Sequence, residues 1–306
     1  MNQQNPWRWV RGHNPDHLRK GKPVTIAAGF RFVDGILLCA DTQYSSTRKT
    51  HESKIFRIQH GAAHIVLILT GWESYGKRTA EMIAERVKAV PLRDLTKENL
   101  HNAIEAELGR MFKTHIYPHP DWGKESSPDF QFVVGLYSPT DGTFLMKTEN
   151  DLLITLDDKV CLGSGGYLGD YLGRMYLGST QSLNDIVAFA TYLFHEVKAH
   201  DVSCGGKSEF MVVRNTGEIS PITTQDIALA EEYSSSFNEA STDMFYAVAD
   251  LEKSDDERDQ KMLKAHEKLL LSLTYRKDKK EQERLVKTLE RKLMEDMGEA
   301  LGGKPA

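Results

Sequence analysis

The stretch VTIAAGFRFVDGILLCADTQYS, residues 24–45, decides how this chain is read. VTIAAGF and GILLCAD are short apolar runs, and the segment between them, RFVDG, carries Asp34-Gly35, a dipeptide that reaches positive φ readily and so closes tight hairpins. Two antiparallel strands are expected. Working outward, KIFRIQ (54–59) and HIVLILTG (64–71) repeat the pattern. The second is almost wholly apolar, which predicts a strand covered on both faces and ended by Gly71.

Beyond Gly71 the period changes from two to 3.6. Tyr75, Thr79, Met82, Ile83 and Val87 fall at helical spacing, and Leu100, Ala103, Ile104, Leu108, Met111 and Phe112 do so again. DFQFVVGLYSPTDGTFLMKT (129–148) reads as a second hairpin turning at Asp141-Gly142, and KVCLGSGG (159–166) as a short strand running into a glycine-rich bend. LNDIVAFATYLFHEVKAH (183–200) is a third helix, followed by the turn SCGG and the strand EFMVVRN. Strands and helices in grouped runs favour an α+β layered domain over a doubly wound one.

Composition narrows the classes. With 306 residues, 40% hydrophobic and 27% charged, the chain reads as globular, and a net charge of -5 supplies no general attraction to nucleic acid or anionic lipid. Cys39, Cys161 and Cys204 form no zinc-type spacing and no disulfide framework, so neither a metal nor a cofactor is implied. No apolar run reaches secretory or membrane-spanning length, and a soluble, cytoplasmic protein is expected. Residues 1–24 hold five Arg/Lys against one acid and read as an irregular arm or propeptide. From Glu252 to Ala306 there are 14 basic and 13 acidic residues, with Leu285, Leu289, Leu293 and Met297 at i, i+4 steps. This predicts a charged helical extension, residues 251–306, behind a domain of residues 25–250.

The opening hairpin, with its Thr25 and its closing Asp41, resembles the start of proteasome β-type subunits within the N-terminal-nucleophile (Ntn) hydrolase superfamily. Lys54 in SKIFRI, Gly71 in LTGWE, Ser164 in LGSGG and Asp201 in HDVSCGG follow in that family's order. The resemblance implies a four-layer αββα sandwich, two antiparallel sheets between helices. It also implies a threonine-type peptidase acting on peptides or unfolded proteins within a ring homo-oligomer or proteasome-like assembly.

By that resemblance Thr25 is the nucleophile once residues 1–24 are removed, and its freed α-amine, of ordinary pKa about 7.7–8.0, is the base. Lys54 would favour deprotonation of the hydroxyl, and Asp41 would hold the ammonium. The N–H of Gly71 would meet the oxyanion, and Ser164 and Asp201 would orient the amine. Three positions depart from the family. Pro23-Val24 precedes Thr25 where a glycine is usual, which suits self-cleavage poorly and leaves the cut to another protease. Cys204 stands where a serine is common, and its thiol is a weaker hydrogen-bonding group. Gln43 stands where an arginine is usual. The alternatives are an unprocessed, catalytically silent structural or assembly subunit and, behind it, a small-molecule amidase.

Overall fold

The structure is a computed structural model, describing residues 25–45, 49–124, 127–176, 181–249, 254, 257 and 259–265. The chain divides into two compact units, Met1–Ile227 and Ala228–Ala306. The expected arm and most of the expected extension lie outside the described residues. Within the extension, 259–265 is helical.

The first unit is α+β with antiparallel sheets. The opening hairpin is β1 (Ile26–Phe32) and β2 (Gly35–Asp41), paired Phe32 to Gly35 at the turn and Ala27 to Ala40 at the far end. A short ribbon, β3 (Gln43–Ser45) and β4 (Lys49–His51), precedes β5 (Ile55–His60) and β6 (Ala63–Gly71). Next come α1 (Glu73–Lys88) and α2 (Lys97–Met111), which a π-turn over Phe112–Ile116 continues. Then come β7 (Phe130–Ser138), β8 (Gly142–Glu149), β9 (Leu152–Leu156) and β10 (Lys159–Gly163). The helices α3 (Gly166–Tyr176) and α4 (Leu183–His200) lead to β11 (Ser208–Arg214) and β12 (Ile219–Pro221). Strand orders are β10-β1-β2-β11-β12 and β5-β6-β7-β8-β9.

Alternation of side chains explains why β2 and β6 are apolar almost throughout. Leu37 and Cys39 join Phe194 and Val197 of α4 in one apolar cluster, whereas Ile36, Leu38 and Ala40 meet Val66, Ile68, Val133 and Leu145 of the other sheet in another. Leu67 and Leu69 pack instead with Ile83 of α1 and Leu108 of α2. Each strand therefore feeds two cores, and each fully buried Leu or Ile contributes about 1.5–3 kcal/mol. The two sheets approach closely at glycines. A Cβ on Gly29 would lie 2.5 Å from Leu145, and one on Gly135 would lie 2.5 Å from Leu38.

Helices α1, α2 and α4 fall where the apolar spacing predicts them, and a Ser182–Asp185 capping box starts α4. Helix α3 is a difference: the sequence predicts a glycine-rich bend ending in Gly166 and no helix directly after it, yet α3 carries Gly166, Gly169 and Gly173. They are contact points with β10: a Cβ on Gly169 would meet Cys161 Sγ at 2.8 Å, and one on Gly166 the Cys161 carbonyl at 2.9 Å. Close helix–strand approach, not flexibility, accounts for them. Helix α5 (Thr224–Ala249) carries the chain from the first unit into the second. No described helix is long and apolar enough to cross a membrane.

Candidate active site

The hairpin register builds the first half of the site. Because Ala27 faces Ala40, Asp41 lies beside Ile26 and its Oδ1 accepts the Ile26 N–H at 3.3 Å. Thr25, just ahead of β1 and buried, donates its hydroxyl proton to the same carboxylate oxygen. Lys54 arrives from the start of β5, tied to the end of β6 by the Leu69 N–H, which donates to its carbonyl at 3.0 Å. Its Nζ lies 2.5 Å from Asp41 Oδ1 and also donates to Thr25 Oγ1 and to the Gln43 carbonyl. Three oxygens thus match the three protons of the ammonium.

Both partners of this ion pair have 0% exposed side chains. Burial alone pushes the Lys54 ammonium below its ordinary pKa, and the Asp41 charge and hydrogen bond oppose that shift. The Tyr44 ring, 4.9 Å from Nζ, adds a cation–π contact. A hydroxyl whose proton points at a carboxylate and whose lone pair faces an ammonium is polarised towards the alkoxide.

Ser164, Asp201 and Cys204 form a second group, at the ends of β10 and α4. Ser164 Oγ donates to Asp201 Oδ2, the other Asp201 oxygen accepts the Ser203 N–H at 2.9 Å, and Cys204 Sγ lies 3.7 Å from both Ser164 Oγ and Asp201 Oδ2. Burial first, then the charges of Asp41 and Asp201, push the Cys204 thiol up to about 12. It stays protonated at neutral pH, so it is poorly suited to be a nucleophile.

Glycines bring the two groups together. At Gly163, φ is +87° and a Cβ would stand 2.0 Å from the Thr25 carbonyl oxygen, so only glycine lets the end of β10 pass Thr25. Gly205 donates its N–H to Asp41 Oδ2 at 2.9 Å. Gly71 belongs to neither group. Its φ is +92° and a Cβ would meet the Asp129 carbonyl at 2.4 Å, so its close approach to the segment leading into β7 already demands glycine there.

Sequence reasoning missed Gly163, Gly205, and Glu209 of β11, which accepts from Ser53 Oγ at 2.6 Å and so supports the residue before Lys54. The glycine runs LGSGG and SCGG were the available signal. Among the described residues, no group of three or more His, Cys, Asp or Glu could hold a metal ion.

No protein-family model and no curated protein matches the sequence. Among solved structures, the chain is similar to Anbu, described as an ancestral β-subunit, from Yersinia bercovieri. That likeness has a TM-score of 0.61 at 12% identity, covering 72% of this chain and 96% of that one. It is also similar to a Gly-1 mutant of Anbu from Hyphomicrobium sp. strain MC1, with a TM-score of 0.60, 14% identity and coverage of 74% and 100%. The helical assembly of the Anbu complex from Pseudomonas aeruginosa gives 0.61, 14%, 72% and 95%. These neighbours correct the resemblance to proteasome β-type subunits, because Anbu is proteasome-like but distinct. The motifs behind that resemblance, a hairpin, a strand-end lysine and glycine turns, fix a strand layout and a polar cluster without separating branches of one fold. In fold the chain stands with the Anbu proteins, and its relation to the proteasome is a distant one.

Proposed function

We propose that this chain is a threonine-type peptidase of Anbu-like fold, hydrolysing peptide bonds with Thr25 after residues 1–24 are removed. The observation that carries this reading is the fully buried Lys54–Asp41 pair closing on the Thr25 hydroxyl. A buried ion pair is weak as a stabilising device, since well-packed apolar residues of similar volume often serve equally well. Such a pair on a nucleophile-type hydroxyl is better accounted for by chemistry.

In the proposed reaction the Thr25 α-amine takes the hydroxyl proton and the alkoxide attacks the scissile carbonyl. Lys54 balances the developing charge, and the Gly71 N–H donates to the oxyanion. The amine, now protonated, gives its proton to the leaving nitrogen, and water then cleaves the ester on Thr25. Ser164 and Asp201 hold the amine in place. Three apolar clusters, one between the sheets and one on the outer side of each, support a four-layer αββα sandwich. We take residues 25–250 as the domain, with 1–24 and 251–306 as arm and extension.

N-terminal sequencing and intact mass of protein from its native host test the proposal. A mature chain beginning at Thr25 and labelled there by a β-lactone is expected. A chain retaining residues 1–24 and taking no label would sink it. The second reading, a non-catalytic subunit, is favoured by Cys204, whose 3.7 Å contacts replace stronger hydroxyl ones, and it predicts that second outcome. In either case we propose a homo-oligomer, for which the Pseudomonas aeruginosa helical assembly is the precedent. A head-to-tail contact gives a ring when the rotation closes and a helix when it does not. Sizing as a monomer, 34.6 kDa for the whole chain and less once residues 1–24 are removed, would contradict this.

A further inference from the structure

Gln43 reads in sequence as the loss of a charge, and its surroundings show more. The residue is buried, the first of β3, and faces both halves of the site. Its carbonyl accepts from Lys54 Nζ. Its side-chain amide donates to the Val202 carbonyl at 3.3 Å and the Ser203 carbonyl at 3.0 Å, the two residues after Asp201. Its backbone N–H donates to the Gly205 carbonyl at 3.1 Å. The turn from Asp201 to Gly205 is therefore gripped at both ends by the residue that receives the Lys54 ammonium.

We propose that Gln43 is a positioning residue whose amide sets the distance between the Ser164–Asp201–Cys204 group and the Thr25–Asp41–Lys54 group. The inference rests on the peptidase reading above, which gives those groups their task. A neutral amide suits the place. Two carbonyls require N–H donors, and a carboxylate in the same position would face both of them. Gly205 completes the fit, because a Cβ there would lie 2.6 Å from Gln43 Oε1. The amide and the missing side chain at position 205 occupy one space.

This shared space makes the proposal testable by a double-mutant cycle on β-lactone labelling of Thr25 as a function of pH, in protein beginning at Thr25. Gln43→Ala and Gly205→Ala are each expected to slow labelling about tenfold, since displacements near one ångström at such sites have effects of that order or more. The double variant is expected to be no slower than the slower single one, because the methyl group introduced by Gly205→Ala fills what the truncated amide vacates. Gln43→Met keeps the volume without the donors and serves where Gln43→Ala fails to fold. It is expected to lower the pH of half-maximal labelling, as the Asp201 carboxylate no longer sits close enough to favour the protonated amine.

Hydrogen exchange supplies an arm that does not need activity: backbone amides of residues 202–206 should exchange faster in Gln43→Met, with distant strands unchanged. Wild-type labelling and an unshifted pH profile in Gln43→Met would overturn the proposal, as would a double variant slowed by the product of the single effects. If wild-type protein keeps residues 1–24 and takes no label, the peptidase reading falls. Unchanged exchange in Gln43→Met then overturns the tether separately.

Discussion

Lys54 and Asp41 meet 2.5 Å apart with no exposed surface, whereas Ser164, Asp201 and Cys204 meet at the ends of β10 and α4, with two of their three contacts at 3.7 Å. The first group is placed by strand register: once the Asp34-Gly35 turn pairs Phe32 with Gly35, Asp41 has to fall beside Thr25. The second is placed by turns, through the glycine passage at Gly163 and the contacts of the segment after Asp201. Register is a cooperative property of a whole sheet, while a turn depends on a few local contacts. The strand-borne half should therefore respond to substitution mainly in stability and chemistry together, and the turn-borne half mainly in chemistry.

The largest effect is expected at the hydroxyl. Thr25→Ala should reduce peptide hydrolysis by on the order of 10⁴-fold or more, read as kcat with a chromogenic peptide. Turnover persisting in that variant would move the nucleophile elsewhere.

Lys54→Ala should come next, because it strands the Asp41 carboxylate in a buried site. A loss of about 3–5 kcal/mol in urea unfolding is expected, together with loss of labelling at Thr25. The Lys54→Met, Asp41→Leu double variant then separates fold from chemistry. It should recover most of the stability and none of the activity. A double variant as unstable as Lys54→Ala would mean that the ion pair belongs to the fold.

Gly71→Ala tests the strand end that contributes the proposed oxyanion donor. With φ at +92° and a Cβ placed 2.4 Å from the Asp129 carbonyl, the substitution should destabilise by roughly 1–3 kcal/mol. An unchanged unfolding midpoint would show that β6 and the chain entering β7 can separate at this point.

What could be read from the sequence follows the same division. The hairpin, the apolar strands and helices α1, α2 and α4 are periodic, so their residue patterns announced them. Thr25, Asp41 and Lys54 stand at the ends of those strands, but it was the family resemblance, not the period, that singled them out. Helix α3 was not legible, because Gly166, Gly169 and Gly173 weaken a helical pattern in sequence while serving close packing in space. Gln43 was visible only as a missing charge, since its partners are the carbonyls of residues 202 and 203, about 160 positions away. A backbone acceptor carries no mark in the residue type. The distinction between Anbu and proteasome subunits escaped for a related reason: a shared strand layout keeps its motifs while the rest of the chain diverges.

The smallest effect concerns Cys204 and sharpens the comparison most directly. Cys204→Ser exchanges a weak sulfur contact for a hydroxyl able to donate to Asp201, and it should leave unfolding at neutral pH within about 1 kcal/mol of wild type. If the loose geometry of the turn-borne half limits the chemistry, labelling of Thr25 should speed up severalfold. At alkaline pH the two proteins should also differ in stability. The folded thiol titrates near 12, against about 8.5 for an unfolded cysteine, so above about pH 8.5 the unfolded chain holds fewer protons and stability falls as pH rises. The contribution is whole below the unfolded value and is lost as pH climbs through the folded one. Serine does not ionise in this range. Cys204→Ser should accordingly flatten the alkaline limb of stability between about pH 8.5 and 12, leaving the parts due to Cys161, whose buried thiol is also pushed up to about 12, and to Cys39, whose thiol burial also raises. An alkaline limb identical in the two proteins would mean that the Cys204 thiol is open to water, and that the turn-borne half is looser than its contacts with Ser164 and Asp201 imply.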